Sequence, residues 1–327
     1  MAPGLRSYQL QAFDFSGEPL ENRTIAIENT TVVAPASASN LVISELMYHP
    51  TPPTAVEFSA GFSDQDQFEF VELLNIGSEA IDLTGVSFSG GIAFDFGGIL
   101  LEAGERKVLA RDRAAFLARY PGLEEVLFPG EYFGASDTNQ FSNAGERVTL
   151  SDAQGFAIRD FVYGDDQPWP VEADGNGFSL TLAVPFANPD HALLSSWRRS
   201  LAEGGSPGVS DELTFVGDPV ADEDGDGLGA LLEFATGSDD LSFDSGPTLE
   251  RDFAGHLLFR YTRQLGTEGV LLEPEVSRDL ENWEDLTGSF LLTPSSGDTN
   301  GLRTLLWRSF VPLDGQPVFL RLRARTP

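Results

Sequence analysis

Residues 222–233 read Asp-Glu-Asp-Gly-Asp-Gly-Leu-Gly-Ala-Leu-Leu-Glu. The stretch fits the calcium-loop pattern D-x-[DN]-x-[DN]-G-x₅-E at every specified position. Calcium takes about six to eight oxygens, several of them anionic, wrapped around it by a tight turn. Asp222, Asp224 and Asp226 would supply side-chain oxygens, Leu228 its backbone carbonyl, and Glu233 both carboxylate oxygens. Gly227 falls where the sharp bend favours a residue without Cβ. Asp239 and Asp240 lie just beyond and could add oxygens. The expected cofactor is therefore Ca2+, held as scaffolding. A single loop, where sensors pair two, points to a rigid joint rather than a regulatory switch.

Other constellations point to no catalysis. Gly204-Gly205-Ser206-Pro207-Gly208 fits the nucleophile-elbow expression, which needs a strand before the serine and a helix after it. Here Ala202-Glu203 and Val209-Ser210-Asp211 flank it and a proline follows the serine. His49, His191 and His256 have no partner at metal-ligand spacing. Glu69 and Glu72 fall in one expected strand, Phe68–Asn75, on opposite faces by its period of two. One of the two is thus expected in a core, with an N–H or an arginine as partner. A glycosidase would need two carboxylates facing each other across a sugar cleft, and acids are so frequent here that pairs arise by chance. Trp169, Trp197, Trp283 and Trp307 read as buried anchors before carbohydrate platforms. Asn22 and Asn29 each open a glycosylation sequon. No P-loop, dinucleotide fingerprint or kinase motif appears, and no enzyme is expected.

The 327 residues carry a formal charge of −31, with Lys107 the only lysine and no cysteine. Such a surface repels nucleic acid and anionic membranes, which are rejected as partners. Disulfides, zinc-thiolate sites and cysteine nucleophiles are excluded. No run is long and apolar enough to span a bilayer, and no signal peptide is visible at Met1. The chain is expected to start inside a longer protein, to be a monomer, and to work outside the cell or on its surface.

These residues must be positioned by strands. Frequent glycine, proline and phenylalanine, with turn signals about every ten residues, argue for an all-β fold of tandem sandwiches. Strands are expected at Leu5–Phe15, Arg23–Glu28, Leu41–Tyr48, Phe68–Asn75, Ile81–Phe88, Ile92–Phe96, Arg106–Ala110, Arg147–Ser151 and Ile158–Tyr163. Asp112 is expected to cap a helix running to Tyr120, which Pro121-Gly122 ends. A short helix Leu228–Ala235 follows the metal loop, and Gly237 ends it. Five more strands are expected at His256–Arg263, Val270–Ser277, Ser289–Leu292, Leu302–Val311 and Pro317–Ala324, with turns at Gly266, Gly288, Ser296–Asp298 and Asp314-Gly315.

The segments LVISELMYHP (41–50), EFVELLNIGSEAIDLTGVSFSGGIAFDF (69–96), LEAGERKVLARDRAAFLARYP (101–121), FSNAGERVTLSDAQGFAIRDFVYGDDQPWP (141–170), ADGNGFSLTL (173–182) and SSWRRS…EGGSPG (195–208) resemble, in order, a lamin-tail domain. The likeness is to the form found in large secreted bacterial proteins, often beside a spore-coat-H-type kinase domain. It implies an immunoglobulin-like sandwich without catalysis, an interaction or spacer module. The metal loop is similar to thrombospondin type 3 and dockerin loops. PEVSRDLENWEDL and PVFLRLRART resemble a C-terminal module of planctomycete and verrucomicrobial secreted proteins. The expected organisation is an immunoglobulin-like terminal hairpin (1–35), a linker from Ala34 to Ser39, a lamin-tail-like sandwich (40–211), a helical calcium-binding linker (218–245) and a C-terminal β module (246–327). The expected role is a calcium-stabilised spacer or adhesion region with a protein or polysaccharide ligand. The alternatives are a carbohydrate-binding module, or an accessory region of an enzyme whose catalytic domain lies upstream.

Overall fold

The computed structural model describes residues 6–10, 16, 18, 23–27, 33–132, 138–293, 298–312 and 315–326. Strands dominate. The α-helices among the described residues are short: Ala55–Ser59 (α1), Arg113–Arg119 (α2) and Ala230–Thr236 (α3). The all-β expectation holds.

At the N-terminus Arg6–Leu10 pairs antiparallel with Arg23–Ile27. The rest of the expected first strand, most of its turn and both sequon asparagines lie outside the described residues. Ala34–Pro35, read from sequence as the start of a linker, is instead a strand, pairing in parallel with Ile81–Asp82. Ala36 is buried behind it. Small residues and proline look like a tether in sequence, yet they also suit an edge strand against a closely packed core.

The first sandwich pairs two main sheets. One runs in the order Arg106–Ala110, Phe70–Asn75, Leu41–Met47, Leu180–Leu182, Trp197–Arg199. The other runs Ala157–Tyr163, Glu146–Ser151, Ser87–Gly90, Phe94–Asp95. Val71, Leu73, Phe88, Phe141, Val148, Leu150, Phe161 and Trp197 fill the space between them. The central strands Leu41–Met47 and Phe70–Asn75 are buried at every position, because the outer face is covered as well. There Met47, Phe70, Val108 and Phe116 of α2 form a second core. Asp112 caps α2, accepting from the N–H groups of Ala114 and Ala115 at 2.9 and 3.0 Å. α1 was not foreseen; its capping box, Thr54 with Glu57, lies hidden in a proline-rich run.

The second sandwich has one sheet in the order Thr248–Arg251, Leu257–Gln264, Leu302–Ser309, Phe290–Thr293, and another in the order Glu284–Asp285, Leu271–Ser277, Phe319–Arg325. Leu257, Phe259, Tyr261, Leu286, Phe290 and Trp307 form its core. Helix α3 is built into this module: Leu231 and Ala235 pack with Val270 and half-buried Leu272 and Ala324. Thr262 Oγ1 donates to Thr236 O at 2.7 Å. A Cβ at Gly237, where φ is +80°, would overlap Leu302, so the helix stop must be glycine. The residues read as a joint thus share a core with the module that follows them.

Contacts cross from the first sandwich to the second. Arg198, buried on the edge strand of the first, donates to Asp211 Oδ2 at 2.5 Å and to Glu268 Oε2 at 3.1 Å. Leu213 N donates to Gly266 O at 2.8 Å. A cleft of about 310 Å3 lies between the sandwiches, lined by Trp169, Trp197, Leu292 and Leu305.

Candidate metal centre and the buried carboxylates

The loop before α3 is shaped by its own aspartates. Asp222 accepts from Gly225 N at 2.9 Å and from Gly227 N at 3.1 Å. Asp224 accepts from Asp226 N at 3.0 Å, and Asp226 accepts from Leu228 N at 2.7 Å and Asp244 N at 2.8 Å. Gly227 adopts φ +92°, a conformation that penalises any Cβ. One carboxylate oxygen from each of Asp222, Asp224 and Asp226 falls within 4.8 Å of the others.

Glu233, on α3, stands apart from that set of three. Its side chain is 1% exposed and no N–H or hydroxyl group donates to either carboxylate oxygen. Burial, then a side-chain hydrogen bond shared with the Asp240 carboxyl, then the charges of Asp226, Asp240 and Asp224, push its carboxyl up to about 7. Asp224 Oδ2 is also buried without a partner. A buried carboxylate with no donor is costly, and here three acids, Asp224, Asp226 and Asp240, act on it with no arginine or lysine among its named partners. The donor set is all oxygen and strongly anionic, which fits a hard divalent cation. Leu228 packs its side chain beside Gly246. Five residues named from sequence are thus placed in one loop and the first turns of one helix.

The first sandwich buries four glutamates, Glu45, Glu57, Glu69 and Glu72, where one of Glu69 and Glu72 was expected. Glu69 is not in the strand, which starts at Phe70, and it lies in a different local frame from Glu72. Both are fully buried because both faces of the sheet are covered. Glu72 accepts from Ser44 Oγ at 2.6 Å, Arg106 Nη1 at 2.9 Å and Gly208 N at 2.7 Å. Burial raises its pKa and Arg106 opposes that. Glu45, which the sequence did not single out, accepts from Ser179 Oγ at 2.6 Å and from Ser206 N and Oγ at 2.9 Å each. Burial, then the Glu72 charge, pushes it up to about 8. Glu69 accepts from Phe141 N at 3.0 Å and Tyr132 Oη at 3.1 Å, and burial pushes it up to about 9. The signal for Glu45 was its place in an unbroken apolar strand, where any acid must be internally bonded.

This arrangement disposes of the enzymatic motifs. Ser206 is clamped on Glu45 in a loop, without the strand and helix that an elbow requires. The glutamate pairs lie in packed protein rather than across a cleft. His191 is a core residue, its ring between Phe161 and Trp197 and against the backbone of Ile43, with burial pushing it down to about 4. His49 Nδ1 meets Asp174 Oδ1 at 2.5 Å, and His256 Nδ1 meets Ser309 O at 2.8 Å. No tryptophan forms an exposed platform: Trp197 and Trp307 are buried, Trp169 is half-buried, and Arg321 lies 4.0 Å over the Trp283 ring.

Among the described residues no helix is long and apolar enough to cross a membrane. No curated protein matches the chain. Among solved structures, a DUF4876 family protein from Bacteroides thetaiotaomicron is similar at 12% identity and a TM-score of 0.30, over 56% of this chain and 75% of that one. An exo-chitosanase from Amycolatopsis orientalis is similar at 11% identity and a TM-score of 0.17, over 81% of this chain and 26% of that one. Likenesses so distant carry no function across. The family model of the Lamin Tail Domain matches residues 34–165, the segment that opens with the strand Ala34–Pro35 and ends just past Tyr163.

Proposed function

We propose that the chain is a calcium-stabilised spacer or adhesion region of a larger secreted or cell-surface bacterial protein, with no catalysis of its own. The observation that carries the metal reading is Glu233: a carboxylate 1% exposed, without a donor, on the helix that follows the aspartate loop. Asp222, Asp224, Asp226, the Leu228 carbonyl and Glu233 would hold the ion. Bound there, calcium would supply the positive charge that these acids lack within the chain. Glu233 lies on α3 two residues from Leu231 and from Ala235, which anchor the helix in the second sandwich. Fixing that carboxylate therefore fixes the helix against the sheet. The high negative charge suits an extracellular medium rich in calcium.

Calorimetric titration of Ca2+ into the full chain, with Asp224→Ala as control, tests this reading. Binding heat in the wild type that the variant loses supports it; no heat in the wild type sinks it. The adhesive part predicts a protein or polysaccharide ligand, and a glycan array silent throughout would remove the polysaccharide.

A further inference from the structure

The cleft between the sandwiches is built from both of them. Pro168, Trp169 and Pro170 of the first supply one wall, and Leu292 and Leu305 of the second supply the other. Trp169 is half-buried and Leu292 is 40% exposed, so both walls stay accessible. Sites for small ligands occupy about 300–1,000 Å3, favour domain interfaces, and pair apolar walls with a few fixed polar groups. A cleft of about 310 Å3 lies at the small end of that range.

Its polar edge is fixed yet incomplete. Glu172 Oε1 accepts from Asp298 N at 3.3 Å, a bond that crosses from one sandwich to the other. Arg303 Nε and Nη2 donate to the two Asp298 oxygens at 2.9 and 3.0 Å. Arg303 also feels the charge of Glu172, but its hydrogen bonds go to Asp298. Glu172 Oε2 is buried and no group donates to it. A buried acceptor without a donor is costly. Glu172 therefore has a counter-charge and lacks a hydrogen-bond donor. Two acids and one base leave this edge with one net negative charge, which repels an anion.

We propose that the cleft binds one ring of a neutral sugar. The C–H face of the ring packs between Trp169 and Leu292, and one of its hydroxyls donates to Glu172 Oε2. The hydroxyls of Ser195 and Thr293 belong to the same lining and can bond the rest of the rim. A sugar ring joins an apolar face to uncharged donors, which is the combination these walls and this edge call for. The proposal gives a place and a chemistry to the polysaccharide ligand in the reading above. It rests on that part of the reading alone, and the metal loop takes no part in it.

The test is an array of immobilised glucan, mannan and galactan oligosaccharides, with uronate and glucosamine oligosaccharides beside them. It is probed with the full chain as wild type, Trp169→Ala, Leu292→Arg and Trp283→Ala, each shown by circular dichroism to be folded. The wild type should bind a neutral glycan. Trp169→Ala should weaken that binding by ~10-fold or more, the loss expected of an aromatic anchor. Leu292→Arg fills the cleft from the opposite wall, at a position open enough to spare the fold, and should weaken binding alike. The Trp283 ring lies beneath Arg321 and outside the cleft lining, so Trp283→Ala should stay within about twofold, as residues outside a contact do. Neutral-glycan binding that survives Leu292→Arg overturns the cleft assignment and leaves a polysaccharide ligand standing. A wild type silent toward neutral glycans, or answering only the uronate or glucosamine probes, overturns the proposal, while calcium titration judges the metal-stabilised spacer separately.

Discussion

The two sandwiches bury carboxylates in opposite ways. In the first, Glu45, Glu69 and Glu72 are met by donors that the chain provides: serine hydroxyls, backbone N–H groups, Tyr132 and Arg106. Those bonds carry structure, since Glu45 and Glu72 together hold the loop from Gly205 to Gly208 against the sheet. At the edge of the second sandwich, Glu233 is as deeply buried and has no donor. Burial without partners is costly; in the first sandwich only single atoms such as Glu69 Oε1 are left so, whereas both oxygens of Glu233 are. The difference teaches where to expect dependence on solution conditions. The first sandwich should answer to protons and the second to calcium.

The sharpest way to break the comparison is to remove a donor. Arg106→Ala leaves Glu72 buried without its cation and should cost roughly 3–5 kcal/mol. Denaturant unfolding should show the loss equally with and without Ca2+; rescue by calcium would contradict the division. The converse is metal removal. Chelator should lower the stability of the second sandwich by about 2.7 kcal/mol relative to calcium at 100 times its Kd. Calorimetric scanning should show the first sandwich unmoved, and an equal shift in both would merge the two regions.

Gly205→Ala probes the loop that Glu45 holds. A Cβ there would overlap the Glu45 carboxylate, and φ is +77°. Overpacking of this kind costs about 1–3 kcal/mol, and the readout is the midpoint of urea unfolding. A pH series then separates protons from ions. The carboxyl of Glu45 is raised from 4.5 to about 8 in the folded state. The unfolded chain releases that proton first, so its contribution to stability is complete below pH 4.5 and is lost as pH rises toward 8. The slope from one such group is at most ~1.4 kcal/mol per pH unit. Glu45→Gln should flatten that fall; an unchanged profile would show that Glu45 is not the group. The smallest effect is expected at Asp112→Ala, where a carboxylate serves only two N–H groups of α2 and its loss costs ~1 kcal/mol, read by thermal melting.

Much of this was legible in the residues. Alternation and turn spacing placed Arg106–Ala110, Glu146–Ser151, Leu257–Gln264 and Leu302–Ser309 within a few residues of their true limits, because each has a side packed on a core and ends at a glycine or charged turn. The cap at Asp112 and the stop at Gly237 were readable because they depend on local backbone chemistry. Short strands such as Leu100–Leu101, Leu180–Leu182 and Glu284–Asp285 were not, since two or three residues show no period. Glu45 escaped notice because nothing near it in sequence announces Ser179 or Ser206, which lie 134 and 161 positions away.

The sequence by itself determined the local facts: the loop of alternating aspartates, the glycine that lets it bend, the helix that follows and the all-β character. Each of these is set by neighbours within a few residues, where steric limits and hydrogen bonding act directly. Only the tertiary structure decided which acids are buried and which of them the chain satisfies. Those outcomes depend on both faces of a sheet being covered and on segments distant in sequence meeting, and no local pattern records either.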